Sequence, residues 1–144
     1  MLIGIPGLLH ADLLHALASM GHGDELVIAD GNFPAARLAR RLIRVGEAST
    51  TRVAEAVLKL MPLDQFVEAP LALMRPRDVD RSTSATADLV AKLGKAAPGS
   101  VIEQVDRQAF YERAAAAFAV VATTDLRPYA NVLMKKGVVG DGHG

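Results

Sequence analysis

The stretch Leu8–Gly31, "LLHADLLHALASMGHGDELVIADG", decides the reading of the fold. In its first half, Leu8–Met20, apolar residues recur near helical spacing, and Gly21 follows as a C-terminal stop. Its second half holds a short apolar run, Leu26–Ala29, which comes after an acidic pair and reads as a buried strand. The same order, helix then strand, recurs along the rest of the chain.

Pro34 opens a short helical turn through Arg41, and Leu42–Val45 reads as a second strand. Thr50–Met61, "TTRVAEAVLKLM", is the clearest helix, with Thr50 or Thr51 as its cap and Pro62 closing it. Pro70–Met74 reads as a strand and Arg75–Asp80 as a polar loop. Thr83–Leu93 reads as a helix, broken by Pro98 and Gly99 at the end of "KAAPGS". Val101–Val105 is a strand, and Asp106–Ala117 is an alanine-rich helix that Asp106 is placed to cap. Phe118–Thr124 is a β-branched strand and Tyr129–Val139 a final strand, after which the tail "GDGHG" is expected to be loose. Helices alternating with apolar strands predict an α/β fold. We expect a single layered domain over residues 1–144, with a central, partly parallel sheet flanked by helices. Neither repeats nor linkers interrupt it.

Composition narrows the function. The 144 residues include 16 Lys plus Arg and 16 Asp plus Glu, a formal net charge of zero. That balance gives no electrostatic case for nucleic acid or an anionic membrane as partner. The most basic stretch, Ala36–Arg44, is short and reads as a solvated helix face. The chain has no cysteine, which excludes disulfides, thiolate chemistry and zinc–thiolate sites. The N-terminus lacks a basic region ahead of a clean apolar core, so it does not read as a signal peptide. No apolar run approaches the length that spans a bilayer. A soluble, cytoplasmic protein is expected. The glycines of "GIPGLL" lack the spacing of a nucleotide-binding loop and follow no strand. No serine sits in a nucleophile-elbow pattern.

Several polar residues sit where chemistry could use them. His22 lies between two glycines, just past a helix end; it is either a structural or exposed histidine, or an acid–base group near pH 7. Asp24 is a turn residue or a partner that orients His22. Asp30 follows the strand Leu26–Ala29, where ligands of α/β sheets bind; it either forms an Asx-turn with Gly31 and Asn32 or accepts bonds from sugar hydroxyls. Asp64 reads as a turn residue after Pro62. Arg107 and Tyr111 are four apart and share a helix face, suiting either polyol recognition or an arginine packed over a core tyrosine. Phe110 and Phe118 are expected in the core. Tyr129 and Asn131 alternate on the final strand, with Ala130 on the other side, as an exposed edge or a binding face. His22, Asp24, Asp30 and His143 match no metal-binding spacing, so no metal site is expected.

Four of these segments carry a resemblance. "MGHGDELVIADGNFPA" (Met20–Ala35), "AVLKLMPLDQFVEAP" (Ala56–Pro70), "FYERAAAAFAVVAT" (Phe110–Thr123) and "YANVLMKKGV" (Tyr129–Val138) together resemble the L-fucose mutarotase family, which is related to D-ribose pyranase. The resemblance covers nearly the whole chain in order. It implies a cofactor-free isomerase that interconverts the α and β anomers of L-fucose. It also implies a symmetric, ring-like homo-oligomer, a decamer being one form, with the site near a subunit boundary. By the resemblance His22 is the acid, Asp64 and Tyr111 share the catalytic work, and Asp30, Arg107, Tyr129 and Asn131 bind substrate. His22 and Asp30 are then expected as two walls of one sugar pocket. "YAN" replaces the "YGN" usual in the fucose branch and is also seen in the ribose branch, whereas "GHGDE" and "FYERA" point to fucose. The competing readings are a mutarotase for ribose or another sugar, a non-catalytic sugar-binding protein, and a purely structural oligomer.

Overall fold

The computed structural model of the chain describes residues 1–78 and 84–143. The end of the expected loop Arg75–Asp80, the expected helix start at Thr83 and the terminal Gly144 lie outside the described residues.

Among the described residues five α-helices alternate with strands, and a sixth strand follows the fifth: α1 (Ala11–Ser19), β1 (Glu25–Ala29), α2 (Ala35–Leu38), β2 (Leu42–Arg44), α3 (Thr50–Leu58), β3 (Leu71–Met74), α4 (Ser84–Ala96), β4 (Ile102–Val105), α5 (Arg107–Ala116), β5 (Ala119–Ala122) and β6 (Val132–Lys135). The strands form one sheet in the order β2-β5-β1-β6-β3-β4. β1, β2 and β5 pair in parallel, as do β3 and β4. β6 is inserted antiparallel between β1 and β3, so five strands run one way and β6 runs the other. The partly parallel sheet flanked by helices is as expected.

Strand alternation divides the core in two. Leu26, Ile28, Leu71, Leu73, Val121 and Met134 face α1, α3 and α4. Val27, Ala29, Ala72, Val120 and Leu133 face α2 and α5, where Phe110 is fully buried. The central strands are buried on both faces, which is why they read as continuous apolar runs. Arg113 of α5 ties that helix to the sheet through Glu25 and Glu103, both at 2.8 Å.

Local chemistry sets the ends of the elements. Asp106 caps α5 as expected, accepting the Ala109 amide at 2.8 Å. The cap of α3 is Ser49, whose Oγ accepts the Arg52 amide, and not Thr50 or Thr51. Both threonines lie inside the first turn and are buried, where tertiary bonds use their polar groups. His10 caps α1 through its ring. α4 extends three residues past the expected Leu93. Phe118 is only half-buried, with the Arg41 guanidinium 3.9 Å above its ring. The final strand is shorter than expected: β6 starts at Val132 because Tyr129 has φ 62°, a left-handed conformation that no strand continues through. Tyr129 and Asn131 are therefore loop residues, not alternating strand positions. The tail forms one 3-10 turn at Asp141–His143. Among the described residues no helix is long and apolar enough to cross a membrane.

Candidate active site

The seven singled-out residues gather at two places, set by the direction of the strands. Asp30 follows β1, Met74 ends β3, and Arg107 opens α5 just after β4. All three lie at the carboxyl ends of strands, where α/β sheets place ligands. Because β6 is reversed, the loop before it, with Pro128, Tyr129 and Asn131, arrives at the same edge. These residues, with Asn32, Phe33 and Tyr111, line an open cleft of about 280 Å³. Five expected site residues thus share one cleft: Asp30, Arg107, Tyr111, Tyr129 and Asn131.

Asp30 is the organising group of this cleft. Its amide donates to Asn131 Oδ1 at 2.8 Å, and the Asn131 amide nitrogen returns a bond to Asp30 Oδ2 at 3.1 Å. Asp30 Oδ1 accepts the Asn32 amide at 2.9 Å, so the Asx-turn is present and the carboxylate lines the cleft as well. Burial raises the Asp30 carboxyl above its ordinary value, and the nearby charge of Asp125 adds to this, against the lowering effect of the bonds from Asn32, Asn131 and Phe33. A buried carboxylate held at this edge is a strong acceptor for ligand hydroxyls. Tyr111 stands one turn beyond Arg107, its ring edge-on to Phe33 at 5.4 Å. The Tyr129 hydroxyl accepts the Arg77 amide at 3.4 Å. Phe33, Met74 and Pro128 give the cleft an apolar wall. Sequence reading missed these three, since isolated apolar residues beside turns look like ordinary core.

His22 and Asp64 are elsewhere. His22 precedes β1 while Asp30 follows it, and five extended residues span roughly 16 Å. Within one chain they are not two walls of one pocket. Instead His22 Nε2 meets Asp64 Oδ1 at 3.0 Å, the histidine half-exposed and the aspartate buried. The Phe66 amide donates to the same oxygen at 3.0 Å, and the Phe66 ring lies 5.4 Å from the imidazole. The Phe66 amide, then the His22 bond, hold the Asp64 carboxyl below its ordinary value. An ionised Asp64 only accepts, so His22 donates from Nε2, and Nδ1 takes no part in that bond.

The end of β6 builds this pair. Asp64 donates its amide to the Lys135 carbonyl at 2.9 Å, and Gly137 donates to the Pro62 carbonyl at 2.7 Å. Gly137 packs so closely that a Cβ there would overlap the Leu63 carbonyl. On the other side Gly23, at φ 86°, donates to the Lys136 carbonyl, and Lys136 donates to the Asp24 carbonyl. The Lys136 ammonium caps α1 through the Leu17 and Met20 carbonyls. Asp24 accepts the Gly21 amide at 2.7 Å and is a turn residue. Among the described residues no group of three or more His, Asp or Glu side chains is placed to hold a metal ion.

A family model described as the RbsD / FucU transport protein family matches residues 3–139. The chain belongs to this family. Among relatives within it, the human protein named fucose mutarotase is 43% identical over 143 residues, covering 94% of this chain and 93% of that one. The L-fucose mutarotase of Glaesserella parasuis serovar 5 is 42% identical, with 96% of each chain covered. The crystal structure of the fucose mutarotase from Streptococcus pneumoniae in complex with L-fucose superposes with a TM-score of 0.90 at 37% identity, covering 96% of this chain and all of that one.

Proposed function

We propose that this chain is an L-fucose mutarotase, an isomerase that interconverts the α and β anomers of the free sugar. The observation that carries this reading is the cleft: Asp30, Arg107, Tyr111, Tyr129 and Asn131 converge at one strand edge in a chain so similar to a fucose-bound relative.

Mutarotation transfers protons while the bond between C1 and the ring oxygen breaks and reforms. The ring oxygen of the hemiacetal gains one while the anomeric hydroxyl loses one, the ring opens to the aldehyde, C1 turns about the C1–C2 bond, and the ring recloses on the other face. His22 delivers the proton to the ring oxygen from Nδ1, and the Asp64 carboxylate at Nε2 stabilises the imidazolium that precedes the transfer. Tyr111 and Asp64 complete the proton traffic, directly or through water. Asp30, Arg107, Tyr129 and Asn131 hold the remaining hydroxyls. Such acid–base assistance contributes roughly a hundred- to ten-thousand-fold in rate. No cofactor is needed.

The His22–Asp64 pair lies at the opposite sheet edge from the cleft, so one chain does not complete the site. We propose that it is completed across a subunit boundary, the cleft of one subunit meeting the pair of the next, in a symmetric cytoplasmic homo-oligomer such as a ring-like decamer. The test is anomer exchange of L-fucose measured by NMR saturation transfer. Wild-type protein is expected to accelerate exchange and His22→Ala to abolish the acceleration. Equal exchange with and without wild-type protein at high concentration refutes catalysis; sugar binding without exchange would leave a non-catalytic binding protein. The "YAN" at Tyr129–Asn131 favours a second reading, in which ribose or another pyranose is the substrate, and a panel of sugars in the same assay decides it.

A further inference from the structure

The loop from Thr123 to Asn131 supplies two polar groups of the cleft, and it does so in a conformation that needs support. Tyr129 is in the left-handed region, which a residue with a Cβ enters only where its surroundings over-determine it. The support lies two residues upstream. Arg127 donates from Nε and Nη2 to the two carboxylate oxygens of Asp125 at 3.0 and 2.9 Å. Its Nη1 reaches Asp88 of α4 at 2.9 Å, and Nη2 also reaches the Thr51 hydroxyl of α3 at 3.2 Å. Thr51 in turn donates to Asp88 at 2.7 Å.

Asp125 spreads this anchorage. Its carboxylate accepts the Thr50 amide at 3.0 Å, fastening the loop to the first turn of α3. Its carbonyl accepts the Gly31 amide at 2.7 Å, next to Asp30. Thr123 donates to the Ala29 carbonyl at the end of β1. One guanidinium therefore joins two helices to the loop that carries Tyr129 and Asn131 and to the turn that carries Asp30.

We propose that Arg127 is a positioning residue for the cleft: by bridging Asp125 to Asp88 and Thr51 it fixes the loop that presents Tyr129 and Asn131 and the turn that presents Asp30. This rests on the reading of the cleft as the sugar site. Arg127 itself does not line the cleft, so its effect passes through the loop. A planar fork suits the task, because it meets a carboxylate with two donors and keeps others for a second partner; a lysine ammonium is a single point.

The experiment compares wild type, Arg127→Lys and Tyr129→Phe, alone and combined, by L-fucose titration and anomer exchange. Lysine keeps a positive charge beside buried Asp125 but cannot span both carboxylates in the fork geometry. The expected result is a KM about tenfold higher for Arg127→Lys, the worth of one misplaced hydroxyl bond, with kcat little changed. Tyr129→Phe is then expected to cost much less in the Arg127→Lys background than in wild type, because the loop no longer places the phenol. A purely structural ion pair predicts a lower melting temperature with KM unchanged in the folded protein and additive effects, and that result overturns the proposal. Should Arg127→Lys fail to fold, Asp88→Ala keeps the Arg127–Asp125 fork and carries the same expectation and the same refutation at smaller size. Wild-type protein that neither binds nor exchanges L-fucose overturns the functional reading and this inference together. An active wild type with an unaltered KM in the variants overturns only the inference.

Discussion

Two inactive variants, His22→Ala and Tyr111→Phe, are expected to restore one another when their subunits are mixed. The reason is distance. His22 precedes β1 and pairs with Asp64, whereas Tyr111 lines the cleft beyond the far end of that strand, roughly 16 Å of extended chain away. A site using both groups must take them from two chains. In a one-to-one mixture half the subunits keep the histidine and half keep the tyrosine. Each site draws one of each from neighbours, so about one quarter of sites regain both groups if mixing is random around a closed assembly. Each variant alone is expected to lose the hundred-fold or more that acid–base catalysis supplies, so recovery to about one quarter of wild type stands clear of background. Subunits would be mixed by co-expression, their random assortment checked by native mass spectrometry, and L-fucose exchange measured by saturation transfer. Mixed oligomers with no recovery would refute the shared site, as would full activity in a wild-type monomer.

Three further outcomes are set by the geometry. Gly137→Ala drives a Cβ into the Leu63 carbonyl and within 3.0 Å of the Asp64 amide, so a destabilisation of about 1–3 kcal/mol and slower exchange are expected; an unchanged urea midpoint would contradict the close approach. Ser49→Ala removes the cap of α3 and is expected to cost about 1 kcal/mol in urea unfolding, whereas Thr51 variants should act through Asp88 and Arg127 instead. Acidification tests the carboxylates. Asp64 is lowered by the Phe66 amide and His22, and Asp88 by Thr51 and Arg127; at Asp125 burial pushes upward, but Arg127 and the Arg127 and Thr50 amides outweigh it. A carboxyl whose folded value lies below its unfolded one stabilises the fold above about pH 4 and gives that up as pH falls through the lowered value. Asp30, raised by burial, acts in the opposite sense. Urea midpoints between pH 6 and 3 are therefore expected to fall below pH 4, and less steeply in Asp88→Asn.

Helix and strand order was legible because each buried strand is a short apolar run and α1, α3 and α5 each begin at a polar cap. Asp106 shows the signal at its clearest, a lone capping residue ahead of an alanine-rich run. The run Ser49–Thr51 shows its limit: three successive residues can cap, and the choice falls on Ser49 because Thr123 takes up the hydroxyl of Thr50, and Asp88 and Arg127 that of Thr51. The start of β6 was illegible for a similar reason. Nothing local marks Tyr129 for a left-handed backbone; the loop that holds it is fastened by residues from α3 and α4, far away in sequence. Asp30, Arg107, Tyr111, Tyr129 and Asn131 of the cleft were named from the chain, whereas Phe33, Met74 and Pro128 were not. Their separation from His22 and Asp64 was implicit in the strand itself, since residues before and after an extended segment face opposite edges of a sheet.

β6 gives that separation its rigidity. It is the reversed strand, lying between β1 and β3, and Val132, Leu133 and Met134 are fully buried. Its first neighbour, Asn131, holds both the amide and the carboxylate of Asp30. Its last residue and the two that follow it, Lys135 to Gly137, hold the Asp64 segment on one side and the His22 turn on the other. A parallel strand in this position could not do both, because its preceding loop would sit at the amino edge with His22. The reversal is what lets one short strand brace the cleft at one edge and the His22–Asp64 pair at the other. Under the shared-site reading, the fixed spacing has a consequence for assembly. A contact that sets the cleft of one subunit against the His22–Asp64 pair of the next joins two different surfaces, and such a contact leaves an unsatisfied pair and an unsatisfied cleft at its ends unless it closes into a ring. Closure would then be a condition for full activity: an open fragment of n subunits has one complete site fewer than subunits, and activity per subunit should rise as the ring closes.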